Sequence, residues 1–163
     1  MKILCHVGPW CTQQYRAIAN AIDPDASVTL ISGFKDLDET GFQKNYYSNV
    51  ENKSAKMSGL DENDFILRCR LLRSLPRDEA LLHLYSTREA VARVLDELMP
   101  DLVISEVVDQ FLIDLIRHEC EQRSIPFYGL VVSFVNGYFR ITSRGEGSVI
   151  RFDVKGDEIE QVS

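Results

Sequence analysis

The segment Asp101 to Arg144, DLVISEVVDQFLIDLIRHECEQRSIPFYGLVVSFVNGYFRITSR, limits the possible folds of this chain more than any other stretch. It reads as strand, loop, helix, strand and then a polar-aromatic loop, which is one βαβ unit. Over about Val107 to Arg123, Val108, Phe111, Leu112, Leu115, Ile116 and Cys120 recur on one helical face. Asp109, Arg117, His118, Glu121 and Gln122 lie mostly elsewhere. The flanking runs, Asp101 to Ser105 and Phe127 to Val132, are apolar on both faces. Such strands alternating with amphipathic helices imply a mostly parallel sheet covered on both sides.

The rest of the chain extends the pattern. Lys2 to Val7 is a short apolar run closed by Gly8-Pro9, and Ser27 to Ile31 is a second strand. Between them Tyr15, Ile18, Ala19 and Ile22 recur at helical spacing, with Thr12 available as a cap and Asp23-Pro24 as a stop. Ser32 to Asn63 is polar, with Phe42, Tyr46, Tyr47 and Met57 isolated in it; it reads either as a short strand near Tyr46 to Val50 or as a mobile loop beside the site. Asp61 to Asn63 offers caps for a helix over Asp64 to Leu75, and Pro76 separates it from a longer helix, Arg77 to Met99. Leu81, Leu84, Tyr85, Val91, Ala92, Leu95 and Leu98 form the expected buried stripe of that helix, which Pro100 ends. The expected class is α/β, a three-layer α/β/α sandwich with a mostly parallel sheet over residues 1–147. A linker or truncated tail follows over 148–163, with a short strand at Val149 to Val154.

Composition narrows the function. With 163 residues, 45% of them hydrophobic, the chain can bury one sizeable core, so one domain is expected. Its formal charge of -7 argues against nucleic acid or anionic lipid as a general partner. The local cluster Arg68, Arg70, Arg73 and Arg77 reads either as a solvated face paired with acids or as a receptor for an anionic acceptor. No apolar run approaches the roughly 18 residues that cross a bilayer, and residues 1–7 are too short for a signal-peptide core, so a cytoplasmic location is expected. Cys5, Cys11, Cys69 and Cys120 have no CxxC spacing and read as buried reduced thiols. His6, His83 and His118 have no metal-ligand spacing; His83 and His118 read as surface or boundary residues, and His6 as a satisfied core histidine near the end of the first strand.

In open sheets of this kind, ligands bind beyond the carboxyl ends of the strands. The turn after the first strand, Gly8-Pro9-Trp10-Cys11-Thr12, lacks the GxGxxG that lets backbone approach a pyrophosphate. GxxxxGK[ST] is absent too, and Cys5-His6 stands where a phosphoacceptor domain would place clustered acids. Trp10 either stacks on a sugar or base or anchors a packed loop. After the next strand, Glu106 and Asp109 either favour the positive end of a helix or, for Glu106, point into the cleft as a general base. The loop Ser133-Phe134-Val135-Asn136-Gly137-Tyr138-Phe139-Arg140 combines hydrogen-bonding groups, aromatic surface and a cation, which suits a polyhydroxylated ligand; equally, it tucks Phe134 and Phe139 under the domain.

The stretches DLVISEVVD at Asp101 to Asp109, IPFYGLVVSFVNGYFRIT at Ile125 to Thr142, and Arg144-Gly145-Glu146 carry a family likeness. Over Met1 to about Gly147 the chain resembles the amino-terminal half of bacterial capsular or exopolysaccharide biosynthesis proteins related to two-domain glycosyltransferases. The resemblance implies a GT-B-like arrangement of two Rossmann-like domains facing a cleft. It implies that this domain binds a glycan or lipid-linked acceptor and that a second domain, not included in these 163 residues, binds the nucleotide-sugar donor. Transfer activity is then expected to be slight in this chain alone. Glu106 is the expected base, with Gly8, Trp10, Asp109, Ser133, Asn136 and Arg140 as substrate contacts. No metal or other cofactor is implied, and the resemblance allows peripheral membrane association of the parent protein. Two other readings remain open: a stand-alone Rossmann-like binding or interaction module without catalytic activity, and a small flavodoxin-like enzyme, which the missing phosphate loops weaken.

Overall fold

The computed structural model describes residues 1–53, 59–106, 111–132, 139–143 and 150. Among these residues the chain forms five strands and six helices, an α/β architecture with one mostly parallel sheet. β1 (Lys2–His6), β2 (Ser27–Ile31), β3 (Leu102–Glu106) and β4 (Phe127–Val132) are parallel, and β5 (Phe139–Thr142) joins β4 antiparallel. The sheet order is β2-β1-β3-β4-β5. This arrangement is compatible with the expected fold class.

Side-chain alternation along the strands sends neighbouring residues to opposite faces. Ile3, Cys5, Leu30, Leu102 and Ile104 pack with Tyr15 and Ala19 of α1 (Thr12–Ile22). Leu4, Ile31 and Val103 pack instead with residues of α2 (Phe42–Asn52), α5 (Arg77–Leu98) and α6 (Phe111–Gln122). Most of these side chains are fully buried, and each aliphatic one stabilises the fold by roughly 1.5–3 kcal/mol.

The structure corrects several local expectations. The polar stretch after β2 contains α2, neither a strand at Tyr46 to Val50 nor a structureless loop. Phe42 and Tyr46 stand one turn apart against α5, and the opening amides are satisfied from outside the helix. Thr40 Oγ1 accepts from the Phe42 amide at 3.2 Å and Asp38 Oδ2 from the Gln43 amide at 3.0 Å. With two rings supplying most of its apolar face, the helix had a weak periodic signal.

The expected helix Asp64 to Leu75 is broken at Cys69, whose extended backbone ends α3 (Glu62–Arg68) and starts α4 (Arg70–Ser74). Asp61 caps α3 by accepting from the Asp64 amide, as its side chain suggested. Thr12, in contrast, does not cap α1. Cys11 is the capping residue, and the Thr12 hydroxyl donates to the Gly8 carbonyl at 3.3 Å. On α5 the buried set differs from the expected stripe: Leu84, Val91 and Leu95 are buried but Leu81, Tyr85, Ala92 and Leu98 only half-buried, while Ala80, Ser86, Thr87, Ala90 and Val94 are buried as well, because α2 and α6 both lie against this helix. Arg68 binds Asp64 and Asp114, and Arg77 binds Asn63 and Glu62, so this part of the arginine cluster is a paired surface.

β5 was not legible as a strand. It places Phe139 and Arg140 on an element that the sequence presented as loop. Beyond it, the Ile150 amide donates to the Ile141 carbonyl at 2.8 Å; the rest of the expected tail, 148–163, lies outside the described residues.

Gly129 marks a tight approach of three strands. A Cβ there would meet Thr142 Oγ1 at 2.7 Å and the Glu106 carbonyl oxygen at 3.3 Å. Gly129→Ala is therefore expected to cost about 1–3 kcal/mol through overpacking, read as a lowered urea midpoint with an unchanged slope. A midpoint equal to the parent's would show that the strands separate without strain. Among the described residues, no helix is long and apolar enough to cross a membrane.

Candidate functional site

The connection through α1 leads from β1 to β2 on one side, and the longer connection through α2 to α5 returns the chain to β3 on β1's other side. Strand order thus reverses at β1 and β3. Open α/β sheets take ligands in a crevice beyond the carboxyl ends of the strands at such a reversal. The turn after β1 and the last residue of β3 bring Gly8, Trp10, Cys11 and Glu106 to that edge.

Glu106 is the last residue of β3, not the start of the following helix. Ending the strand here places a half-buried carboxylate at the sheet edge. Its Oε1 accepts the Trp10 indole N–H at 3.1 Å and lies 3.6 Å from Cys11 Sγ, joining residues 96 and 95 positions apart in the chain. The thiol is held in turn by the Gly8 amide, which donates to Sγ at 3.3 Å. Burial pushes the Cys11 thiol above its usual range; the Gly8 amide opposes this, and the Glu106 charge adds to it. Cys11 is therefore a neutral hydrogen-bonding group, not a reactive thiolate. Tyr15, one helical turn further on, is also held protonated by burial and, less strongly, by Glu106.

Trp10 is 69% exposed although its indole N–H is bonded to Glu106. The indole folds back over Gly8: a Cβ on that glycine would meet two indole carbons at 3.0 Å. The Gly8 amide points inward to the thiol, and its carbonyl accepts from the Cys11 amide and the Thr12 hydroxyl. What Gly8 offers the crevice is space for the ring above it.

The other face of the sheet edge carries a second polar pair. His6 Nδ1 lies 3.2 Å from Ser105 Oγ, and both residues are buried. Burial lowers the His6 pKa from 6.5 to about 4, leaving a neutral imidazole at physiological pH. The expected core histidine is thus observed, with its hydroxyl partner. His83 bonds the Tyr46 hydroxyl at 2.7 Å, and His118 stands edge-on to Phe65.

Of the expected contacts, the structure brings together Gly8, Trp10 and Glu106. Arg140 lies elsewhere. Glu106 shares a cross-strand row with Leu130 and Ile141, on the face covered by α1. Arg140 pairs with Val131 and so belongs to the opposite face. Asp109, Ser133 and Asn136 lie outside the described residues. The sequence reading missed Cys11 and Ser105 as site neighbours. Cys11 carried one usable signal: the residue three after a glycine in the turn that follows a strand can return its side chain to that glycine's amide.

Cys5, Cys11 and Cys120 are buried, Cys69 is half-buried and all four are free thiols. Burial pushes Cys5 and Cys120 to about 12. Among the described residues, no group of three or more His, Cys, Asp or Glu side chains is arranged to hold a metal ion. Comparison of the chain with protein-family models, curated proteins and solved structures returns no match.

Proposed function

We propose that the crevice between β1 and β3 is the acceptor site of a sugar transferase, built on a Rossmann-like three-layer domain that forms one wall of a GT-B-like cleft. One observation carries this reading: an exposed indole face lies beside a carboxylate to which its own N–H is bonded. A sugar presents an apolar ring face and hydroxyls together, and this pair matches both.

In the proposed reaction Glu106 accepts the proton of an acceptor hydroxyl. The freed oxygen bonds to the anomeric carbon of a nucleotide sugar held by the opposite domain, and the carbon–phosphate-oxygen bond breaks as nucleoside diphosphate leaves. Cys11 and Trp10 hold the carboxylate, and Gly8 leaves room for the indole. Asp109, Ser133 and Asn136 retain their proposed roles as acceptor contacts. Arg140, on the other face, would reach the acceptor only around the sheet edge.

Trp10 is the single tryptophan of the chain, so its emission reports on this crevice alone. Titration with bacterial capsular oligosaccharides is expected to shift that emission saturably, and Trp10→Ala to weaken oligosaccharide binding measured calorimetrically. Incorporation of labelled sugar from nucleotide-sugar donors by the full natural polypeptide completes the test. Binding without incorporation would replace the transferase by a glycan-binding module, a reading the exposed indole also favours. Absence of both would overturn the sugar assignment.

A further inference from the structure

A cavity opens on the face of the sheet opposite Glu106. It has a volume of about 220 Å³ and lies among Gly33 after β2, Phe42, Tyr46 and Tyr47 of α2, Leu71 of α4 and Phe111 at the start of α6. Register ties its rim to the carboxyl edge of the sheet, because Ser32 Oγ donates to the Val7 carbonyl at 2.8 Å, just before Gly8. We propose that this cavity is a separate binding site for a neutral, planar aromatic ring on a small molecule.

Its lining selects that chemistry. Three of its ring-bearing side chains are already packed in the geometries aromatic rings adopt with one another: Tyr46 and Tyr47 edge to face with centroids 5.0 Å apart, Phe42 and Tyr46 stacked at 6.2 Å. Tyr47 and Leu71 keep more than half of their surface exposed, so a ring entering between them covers apolar area that the protein alone leaves in water. No lining residue is charged, which disfavours an ionic ligand.

The polar groups of the wall are largely engaged within the protein. The Gln43 side-chain amide donates to the Gly33 carbonyl, the Tyr46 hydroxyl bonds His83 Nδ1 at 2.7 Å, and the Thr87 hydroxyl donates to the His83 carbonyl at 2.8 Å. A nucleobase, whose edge needs several partners, would find few of them here, whereas a simple aryl ring needs none. The volume admits one or two fused rings and is too small for a long acyl chain.

Gly33 supplies a blocking variant. A Cβ built there meets nothing within 4 Å, so Gly33→Leu adds a side chain to the wall without a backbone clash. The probes are benzyl alcohol, its acyclic counterpart hexanol, and benzoate, followed by amide chemical shifts of the labelled protein. Saturable benzyl alcohol binding is expected, with shifts centred on Gly33, Tyr47 and Phe111. Tyr47→Ala is expected to weaken it about tenfold, as for loss of one ring contact and its burial, and Gly33→Leu to abolish it. Tyr47 is 56% exposed, so its truncation leaves the core intact.

Equal affinity for hexanol would overturn the aromatic assignment, and equal affinity for benzoate the neutral one. Binding that survives both variants would place the ring elsewhere and overturn the site. Trp10→Ala is expected to leave benzyl alcohol binding unchanged, so failure of the sugar-transfer reading and failure of this one give different results.

Discussion

Glu106→Gln is expected to lower sugar transfer by about 10²–10⁴-fold, the usual contribution of a positioned general base. Acceptor binding is expected to stay close to the parent's. The amide keeps an oxygen where Oε1 now accepts the Trp10 indole N–H at 3.1 Å, so the crevice retains its shape while losing the group that takes the proton. The effect therefore belongs in kcat, with the Trp10 emission of the free protein unchanged. Transfer at the parental rate would remove Glu106 from the catalytic role. A displaced emission together with lost binding would make it a structural partner of the indole. Cys11→Ser, which keeps a donor toward the carboxylate, should remain far closer to the parent than Glu106→Gln.

The second large effect concerns folding. Between about pH 6.5 and about pH 4 the protein is expected to lose about 3 kcal/mol of stability through His6. Its folded-state pKa lies below the unfolded value because burial penalises the imidazolium. The unfolded chain then binds the extra proton more readily. Stability is therefore fully present above the unfolded value of 6.5 and is lost as pH falls toward about 4. Urea denaturation across this window measures the slope, and His6→Gln should remove most of it.

The lowered pKa of His118 works in the same direction within this window, so the variant keeps a residual slope. An undiminished slope in His6→Gln would assign the acid sensitivity to His118. Should that variant not fold, the imidazole resonance of His6 in the parent protein gives the same answer: its midpoint should lie near 4, and a midpoint at the ordinary value would refute the buried neutral state.

Much of the architecture could be read directly from the chain. β2 and β4 follow the expected runs residue for residue, and α1 and α5 fall where helical spacing placed them. These elements combine a continuous apolar run or a full amphipathic face with a proline or glycine stop, and each such signal is local. α2 escaped because its apolar face is little more than Phe42 and Tyr46, while its first amides depend on Asp38 and Thr40 lying outside the helix. β5 escaped because four residues are too few for periodicity to declare, and because an edge strand takes its definition from the partner it bonds.

The candidate site divides along the same line. Residue type and position after a strand were enough to single out Gly8, Trp10 and Glu106, since backbone order fixes which residues follow β1 and β3. That Trp10 reaches Glu106, with Cys11 beneath them, required the parallel pairing of β1 with β3 across nearly a hundred residues. The separation of Arg140 from this group likewise rests on pairing, because shifting an antiparallel register by one residue exchanges the faces of the whole strand. Local covalent order therefore carried most of the elements and the short list of candidate residues. Which of those residues share a face, and which cavity opens behind them, was decided by strand register and packing between distant segments, which no local pattern encodes.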